Sequence, residues 1–598
     1  MRITNKIIQN NSLSNINTNK LLEDKYNTQM STGKKIIRPS DDPVIAIRSL
    51  RLRTTYSEIT QYRDKNTEDA DSWLTVTEDA IDTVIDVVTS MIEEFNTGAN
   101  KYKQSADRKT ILDNLRELRD EIYATGDADY AGRGLFTGYR TSTKLRFQDT
   151  DLDRTATYQI VEKVTAAILD DIVYVKTNNS DVDADGRGAM GKGDIGEINE
   201  GNYNNPDYAV EDTDIFKETV HRLRLSYDNL DFNTKPTIQY YNGRMGGLQS
   251  IPVVSISKYG EIISDEDGNP VMDTTQTPPV PKRADPYLYA QSEGVLLKDA
   301  AGNPIPELDE NGNPVTDANG NPVFQKGPCA VYIPETGELI LNDKAYDVLS
   351  ATRDYSQTKD VDESQIFITY NKSSWDSGDL RPEHYFACTK NPGQPDEILH
   401  NIKKTTDAAG NEVLDYVGPE DQIISYDVGF NQELRVNTLA SEVYTHAIGR
   451  DVEDVIATLE QVQDIEATIA SLTDVLKDSS LTQADKDTAE KSLKAAEKAL
   501  SLLEDKLQVS FGNGITRMNA HLKKSTLAMT AVGTRSSKLD LVKDRLSSQK
   551  TNFKDLITDN DQVDEAEAMT NLSQAKLAYD GALMATAKIT ENTLLNFI

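Results

Sequence analysis

The residue types that carry most enzymatic chemistry are few here and far apart. The 598-residue chain has five histidines, His221, His384, His400, His446 and His521, and two cysteines, Cys329 and Cys388. No histidine pair forms H-E-x-x-H, and no G-x-S-x-G nucleophile elbow occurs. Gly188, Gly191 and Gly193 cluster, but without the G-K-[ST] end of a phosphate-binding loop they read as a flexible loop. Carboxylate pairs are inevitable among 98 acidic residues and read as a solvated surface. The nearest approach to a metal site is Asp181-Val-Asp-Ala-Asp-Gly186, which begins like an EF-hand loop. Its twelfth position is Lys192 instead of Glu, and Ile172, Val173, Tyr174 and Val175 before it read as strand, not helix. Cys329 and Cys388 exclude a disulfide-rich scaffold and an all-cysteine zinc site, and stand either as a pair or as two partly buried thiols. The expectation is a protein that is not an enzyme and holds no metal or cofactor.

Charge narrows the partners. Lys plus Arg is 64 against 98 Asp plus Glu, a net −34. Nucleic acid and anionic membrane surfaces want a cationic face, so neither is expected. Apolar residues make up 37%, and no apolar run nears the roughly 20 residues of a bilayer span. The start, MRITNKIIQNNSLSN, lacks the continuous hydrophobic stretch of a secretory signal, and none is expected.

The elements that would position any site are legible from proline. Of 20 prolines, Pro39 and Pro43 lie near the start and the rest fall between Pro206 and Pro419. Proline breaks helix interiors, so helical arms are expected around a turn-rich middle. Leu74, Ile81, Val88 and Phe95 recur every seven residues, and Ile111, Leu115, Leu118 and Ile122 repeat 4-3-4, with Gly126 as a stop. Val455, Leu459, Val462, Ile469, Leu472 and Leu476 form a stripe. A polar turn at 478–480 and then Leu493, Ala496, Leu500, Leu503 and Leu507 predict an antiparallel helical hairpin, with Thr482 as cap. Ala568, Leu572, Ala575, Tyr579, Ala582, Thr586 and Ile589 make a seam of mostly small residues, suited to close packing but weak alone. Residues 1 to about 35 mix isoleucine and leucine with many asparagines, and are expected to be helical only against a partner helix.

The middle reads as β-rich. Asp265–Val271, Asp299–Ile305, Asp309–Val315, Asp317–Val323 and Asp407–Val413 repeat one pattern, D-x-x-G-N-P-V or a close variant. Asp bonds the backbone ahead, Gly and Asn tolerate positive φ, and Pro starts an extended segment, so hairpin turns are the better reading than calcium loops.

The ends then resemble a known family. Met1-Arg-Ile-Thr-Asn5 with Gln29-Met-Ser-Thr-Gly-Lys-Lys-Ile-Ile-Arg-Pro-Ser-Asp-Asp-Pro-Val44 is similar to the N-terminal signature of bacterial flagellins and their hook-associated relatives. Val563–Gln574, Ala578–Ile589 and Leu594–Ile598 resemble the C-terminal signature, and Val532–Leu539 the helix entry before it. Gly132–Tyr139, Gly378–Phe386 and Ile424–Asn437 are similar to stretches of junction-type relatives. The resemblance covers about 140 residues at the front and 80 or more at the back.

That resemblance implies an α+β, elongated, multidomain fold: a long flagellin-like helical bundle or coiled coil from both termini, and a β-rich central outer domain. Residues 1–45 with 551–598 would form the inner assembly layer. Residues 46–164 with 435–550 would form a helical bundle with a β-hairpin region and the helical hairpin near 455–508, and 165–434 the outer domain. The implied function is structural, joining hook to filament by self-assembly of the terminal helices. The alternatives are the bulk filament subunit, or a glycan-binding or adhesive module in the middle. Ile3, Ile7, Leu13 and Ile16 are expected on one side of the inner layer, with Leu572, Tyr579, Leu583 and Ile589 on the other. Pro39, Asp41, Asp42 and Pro43 should mark the connection between layers. Implied partners are further copies of the chain, another hook-associated protein, flagellin, the flagellar export apparatus and an export chaperone, with an extracellular location on the flagellum.

Overall fold

A computed structural model describes residues 5–99, 105–178, 193–241, 247–264, 270–273, 279–292, 305–306, 314–316, 322–352, 364–406 and 412–595. The EF-hand-like segment at 181–186, Gly188 and Gly191, and the D-x-x-G-N cores of the repeats lie outside them. Long helices come from both ends of the chain and β-sheets fill its centre. The chain divides into two compact units, residues 1–74, 425–436 and 534–598, and residues 75–424 and 437–533.

The helices are α1 (Asn5–Thr32), α2 (Pro43–Gln61), α3 (Thr67–Gly98), α4 (Ser105–Ala124), α5 (Pro286–Ser292), α6 (Asp343–Ser350), α7 (Ala440–Val443), α8 (His446–Lys477), α9 (Gln483–Asp561) and α10 (Glu565–Leu595). The expected helical hairpin is present in part. α8 ends at Lys477, Asp478 accepts the Ser480 amide at 2.8 Å, and Thr482 Oγ1 accepts the Asp485 amide at 3.2 Å to cap α9. The second limb does not stop near 508. α9 runs on for 79 residues without a break, because nothing from Gln483 to Asp561 is proline.

In the terminal unit, α1 and α10 pack antiparallel. Asn19 Nδ2 donates to the Ala578 carbonyl at 3.2 Å, while Lys35 N donates to Asp561 O at 2.8 Å. The partner helix that α1 requires is thus supplied by the other end of the same chain. A short hairpin, residues 425–429 with 432–435, also belongs to this unit.

The second unit holds two six-stranded sheets. The first has the order 169–176, 216–224, 338–341, 330–333, 253–256, 262–264, and is antiparallel except where 330–333 runs parallel to 253–256. The other is antiparallel throughout, in the order 398–400, 387–390, 158–165, 365–372, 237–241, 248–251. A short hairpin, 129–130 with 133–134, precedes these sheets, whose first strand in the chain starts at Tyr158. Along 365–372 burial alternates strictly, and Ile366, Ile368 and Tyr370 join Leu223, Tyr332, Leu339 and Leu341 of the first sheet in one core. The strands 330–333 and 338–341 are buried on both faces, because a second cluster with Val331, Ile333 and Ile340 lies under α5. Strands 402–406 and 412–416 pair antiparallel. Cys388 sits in the first of these cores and Cys329 in the second, both buried and not joined in a disulfide.

Much of each expected stripe is core, while Leu118, Ile469, Leu476, Leu493 and Leu500 are only half-buried. Leu74, Ile81, Val88, Phe95, Leu115, Ile122, Val455, Leu459, Val462 and Leu503 are all 0–1% exposed.

Candidate assembly surface

On α10 Ala568, Leu572, Ala575, Tyr579, Ala582 and Thr586 lose solvent access, with Asn571 beside them. This is the 4-3-4-3-4 seam read from the sequence. On α1 the matching set is Ser12, Ile16, Asn19, Glu23, Tyr26 and Met30, with the same spacing. Ser12, Asn19 and Glu23 and the small Ala568, Ala575 and Ala582 thus share the pair with the larger Ile16, Tyr26, Met30, Leu572 and Tyr579. Other large apolar side chains are left outside: Ile7 (52% exposed), Leu13 (55%) and Leu21 (70%) on α1, and Leu577 (73%) and Met584 (71%) on α10.

The expected assembly residues fall into three groups. Ile16, Leu572 and Tyr579 are half-buried within the α1–α10 pair, whereas Ile7, Leu13 and Leu583 stay exposed. Ile3 lies outside the described residues, as does the side chain of Ile589. The third group, Pro39 to Pro43, builds the turn into α2. Asp41 Oδ2 accepts the amides of Arg38 at 2.8 Å and Ile37 at 3.1 Å, and these donors hold its carboxyl below the usual range. Asp42 caps α2 by accepting from Val44 N at 2.9 Å and Ile45 N at 3.2 Å. Pro43 takes the first helical position, where its missing N–H costs nothing. Pro39 is exposed.

Sequence reading missed a buried ionic cluster in the second unit. Arg222, from strand 216–224, is bidentate to Asp454 of α8 (2.9 and 2.8 Å) and also meets Glu338 (2.6 Å) and Asp170 (2.8 Å). Arg224 binds Asp454 and Asp451, and from α9 Arg517 binds Asp170 at 2.7 Å while His521 lies 2.9 Å from Asp451. The cluster lines a cavity of about 430 Å³. Its charges pair with one another, so it crosslinks three strands and two helices. Arg222 and Arg224 share one face of a strand, and Asp451 and Asp454 one face of a helix. That spacing is visible in the sequence, but 98 acids hid it. Among the described residues no three His, Cys, Asp or Glu are placed to hold a metal ion, and no helix is long and apolar enough to cross a membrane.

Comparison with known proteins now bears on these helices. Residues 3–141 match the family model of the bacterial flagellin N-terminal helical region. The chain carries a flagellin-type N-terminal region and is similar to flagellar hook-associated protein 3. The relative of that name from Escherichia coli (strain K12) is 27% identical over 144 residues, 24% of this chain and 45% of the relative. The one from Salmonella typhimurium is 28% identical over 142 residues, 24% of this chain and 44% of the relative. The chain spans about half the length of the curated relatives it matches. Two solved structures, hook associated protein-3 and the flagellar junction protein FlgL, both from Legionella pneumophila, align over 85% and 83% of this chain and 97% and 99% of theirs. They do so at 9% and 10% identity, with TM-scores of 0.26 and 0.25. The likeness is to flagellar structural proteins, components of the bacterial flagellum.

Proposed function

We propose that this chain joins hook to filament, its terminal helices assembling side by side with those of further copies into a tubular lattice or ring. One observation carries the reading: α1 and α10 pack on each other while Ile7, Leu13, Leu21, Leu577 and Met584 remain uncovered. Exposed apolar rows on paired helices are stable only when something covers them, and a heterologous contact repeated around an axis does so for every copy. Flagellin on the filament side and another hook-associated protein on the hook side are the proposed neighbours, reached through the flagellar export route with a chaperone's help. The residues proposed to carry assembly are Ile3, Ile7, Leu13, Ile16, Leu572, Tyr579, Leu583 and Ile589, with Pro39, Asp41, Asp42 and Pro43 setting the turn between layers. The proposed role is mechanical and extracellular, without catalysis.

The test is removal of residues 1–30 or 560–598 in motile cells. The reading expects hooks without filaments. Normal filaments on those hooks would overturn it. Antibody label along the whole filament, instead of only at its boundary with the hook, would favour the bulk filament subunit.

A further inference from the structure

Between α2 and α3 the helix does not break but widens. Tyr62–Asn66 form a five-residue π segment, and the Thr67 amide bonds back to Tyr62 O, five residues earlier. The Arg63 carbonyl, which Thr67 N would serve in an α-helix, is served by the Thr67 hydroxyl at 2.8 Å. A π turn holds one residue more than the α turn it replaces, and such inserts are rare and concentrated at functional places.

The segment is clasped from one side by the hairpin 425–435. Asn66 Nδ2 donates to Asp427 O at 2.7 Å, the rings of Tyr62 and Phe430 meet edge to face at 5.4 Å, and the Tyr426 hydroxyl donates to Asp69. The hairpin is shaped for this, with a bulge between Asp427 and Gly429 and Asn431 at φ +52. Phe430 nonetheless stays 46% exposed. From the α9 side, Lys543 holds Asp71 at 2.9 Å and Lys550 holds Asp64. These contacts fall on the π segment and the first turns of α3. α2 is held by Ser49 and Arg53 on Asp561, with Arg53 58% exposed, a kind of pair that contributes little, by Asn560 Nδ2 on the Ile45 carbonyl at 3.3 Å, and near its end by the buried Ile59, whose packing must re-form if α2 turns. α2 meanwhile presents Val44, Ile47 and Leu50 to solvent, at 69%, 54% and 69% exposed.

We propose that Tyr62–Asn66 is a register hinge with two states, π and α, and that the hairpin 425–435 selects the π state. In the α state one residue leaves the turn, so α2 rotates by about 100° and advances by about 1.5 Å relative to the start of α3. The row Val44, Ile47, Leu50 is then aimed elsewhere. A subunit with this device offers two apolar faces from one sequence, at the cost of the hairpin's few contacts and of repacking Ile59.

The test uses the full chain in solution and does not depend on assembly. Spin labels go on Val44→Cys and Leu541→Cys, both exposed in the terminal unit, while the native thiols are buried. With the hairpin intact one distance is expected. With Asn66→Ala and Phe430→Ala together, a second distance should appear at about a tenth of the population or more, the range of a detectable minor state. Deleting Lys65 takes the extra residue out of the turn, so the turn closes to α without rotating α2, and the first distance should be kept even in the presence of Asn66→Ala and Phe430→Ala. An unchanged single distance in the double variant overturns the proposal, whatever the deletion does. Loss of helical circular dichroism in the double variant also overturns it, since the hairpin would then hold the fold and not choose a register.

Discussion

Arg222 and Asp454 meet through two guanidinium nitrogens and two carboxylate oxygens, at 2.9 and 2.8 Å, although 231 residues separate them in the chain. Burial pushes the Asp454 carboxyl up, but Arg222 and Arg224 outweigh burial and hold it well below the carboxylate range. Its folded pKa is depressed, so its contribution is complete above pH 4 and is lost as pH falls further. Asp454→Asn should cost about 3 kcal/mol, because it leaves Arg222 buried with one partner short. Urea unfolding followed by Trp375 fluorescence, in a Trp73→Phe background, reads that loss. Lys491→Ala, which removes an exposed pair with Glu211 at 3.1 Å, should change the same midpoint by less than about 0.5 kcal/mol.

A second acid sensitivity comes from His384. It is 4% exposed, its Nε2 lies 3.1 Å from Lys144 O, and its Nδ1 has no partner. Burial pulls its pKa down to about 4. The unfolded chain then takes the proton first, near pH 6.5, and the fold loses stability from there down to about pH 4. The loss over that window is about 3 kcal/mol. His384→Gln should be less stable at pH 7.5 but should make the pH dependence of the urea midpoint between 6.5 and 4 less steep, the remainder coming from His446, whose pKa burial lowers to about 3. An equally steep profile in the variant would count against His384 as the source.

Two glycines at positive φ should differ in cost. Gly33, at φ +67, ends α1 by giving its amide to Gln29 O at 2.8 Å, and a Cβ there meets nothing within 4 Å. Gly337, at φ +62 in the turn joining strands 330–333 and 338–341, has no such room: a Cβ would lie 2.0 Å from the Tyr227 carbonyl oxygen. Gly33→Ala should cost about 1 kcal/mol, the cost of the left-handed backbone alone. Gly337→Ala should cost more, about 3 kcal/mol, since two strands must also shift. Thermal unfolding of the two variants side by side checks the order.

Stability and assembly should separate on α10. Ala575 is 7% exposed in the seam, whereas Leu577 is 73% exposed. Ala575→Leu should force α1 and α10 apart and lower helical circular dichroism. Leu577→Asp should leave the monomer's helicity unchanged and reduce assembly about tenfold, the effect of losing about 1.4 kcal/mol per contact. Sedimentation of the purified variants distinguishes the two outcomes.

Much of the helical part was legible from side-chain spacing alone. The stripe of α3 and the small-residue seam of α10 lie on the faces that become buried, because a period of 3.6 residues fixes which side chains share a side whatever they meet. Proline placement marked where helices end, and Asp42-Pro43 reads as a helix start in any context. Tertiary structure decided what faces what. Periodicity could not say that α1 turns Asn19 and Glu23 toward α10 and leaves Leu21 outside, since that depends on which partner is small enough to approach. Nor could it bring Arg222 to Asp454 and Arg517, or insert one residue at Tyr62–Asn66. Those are long-range arrangements in which many similar charges and turns compete, and packing of the whole chain selects among them.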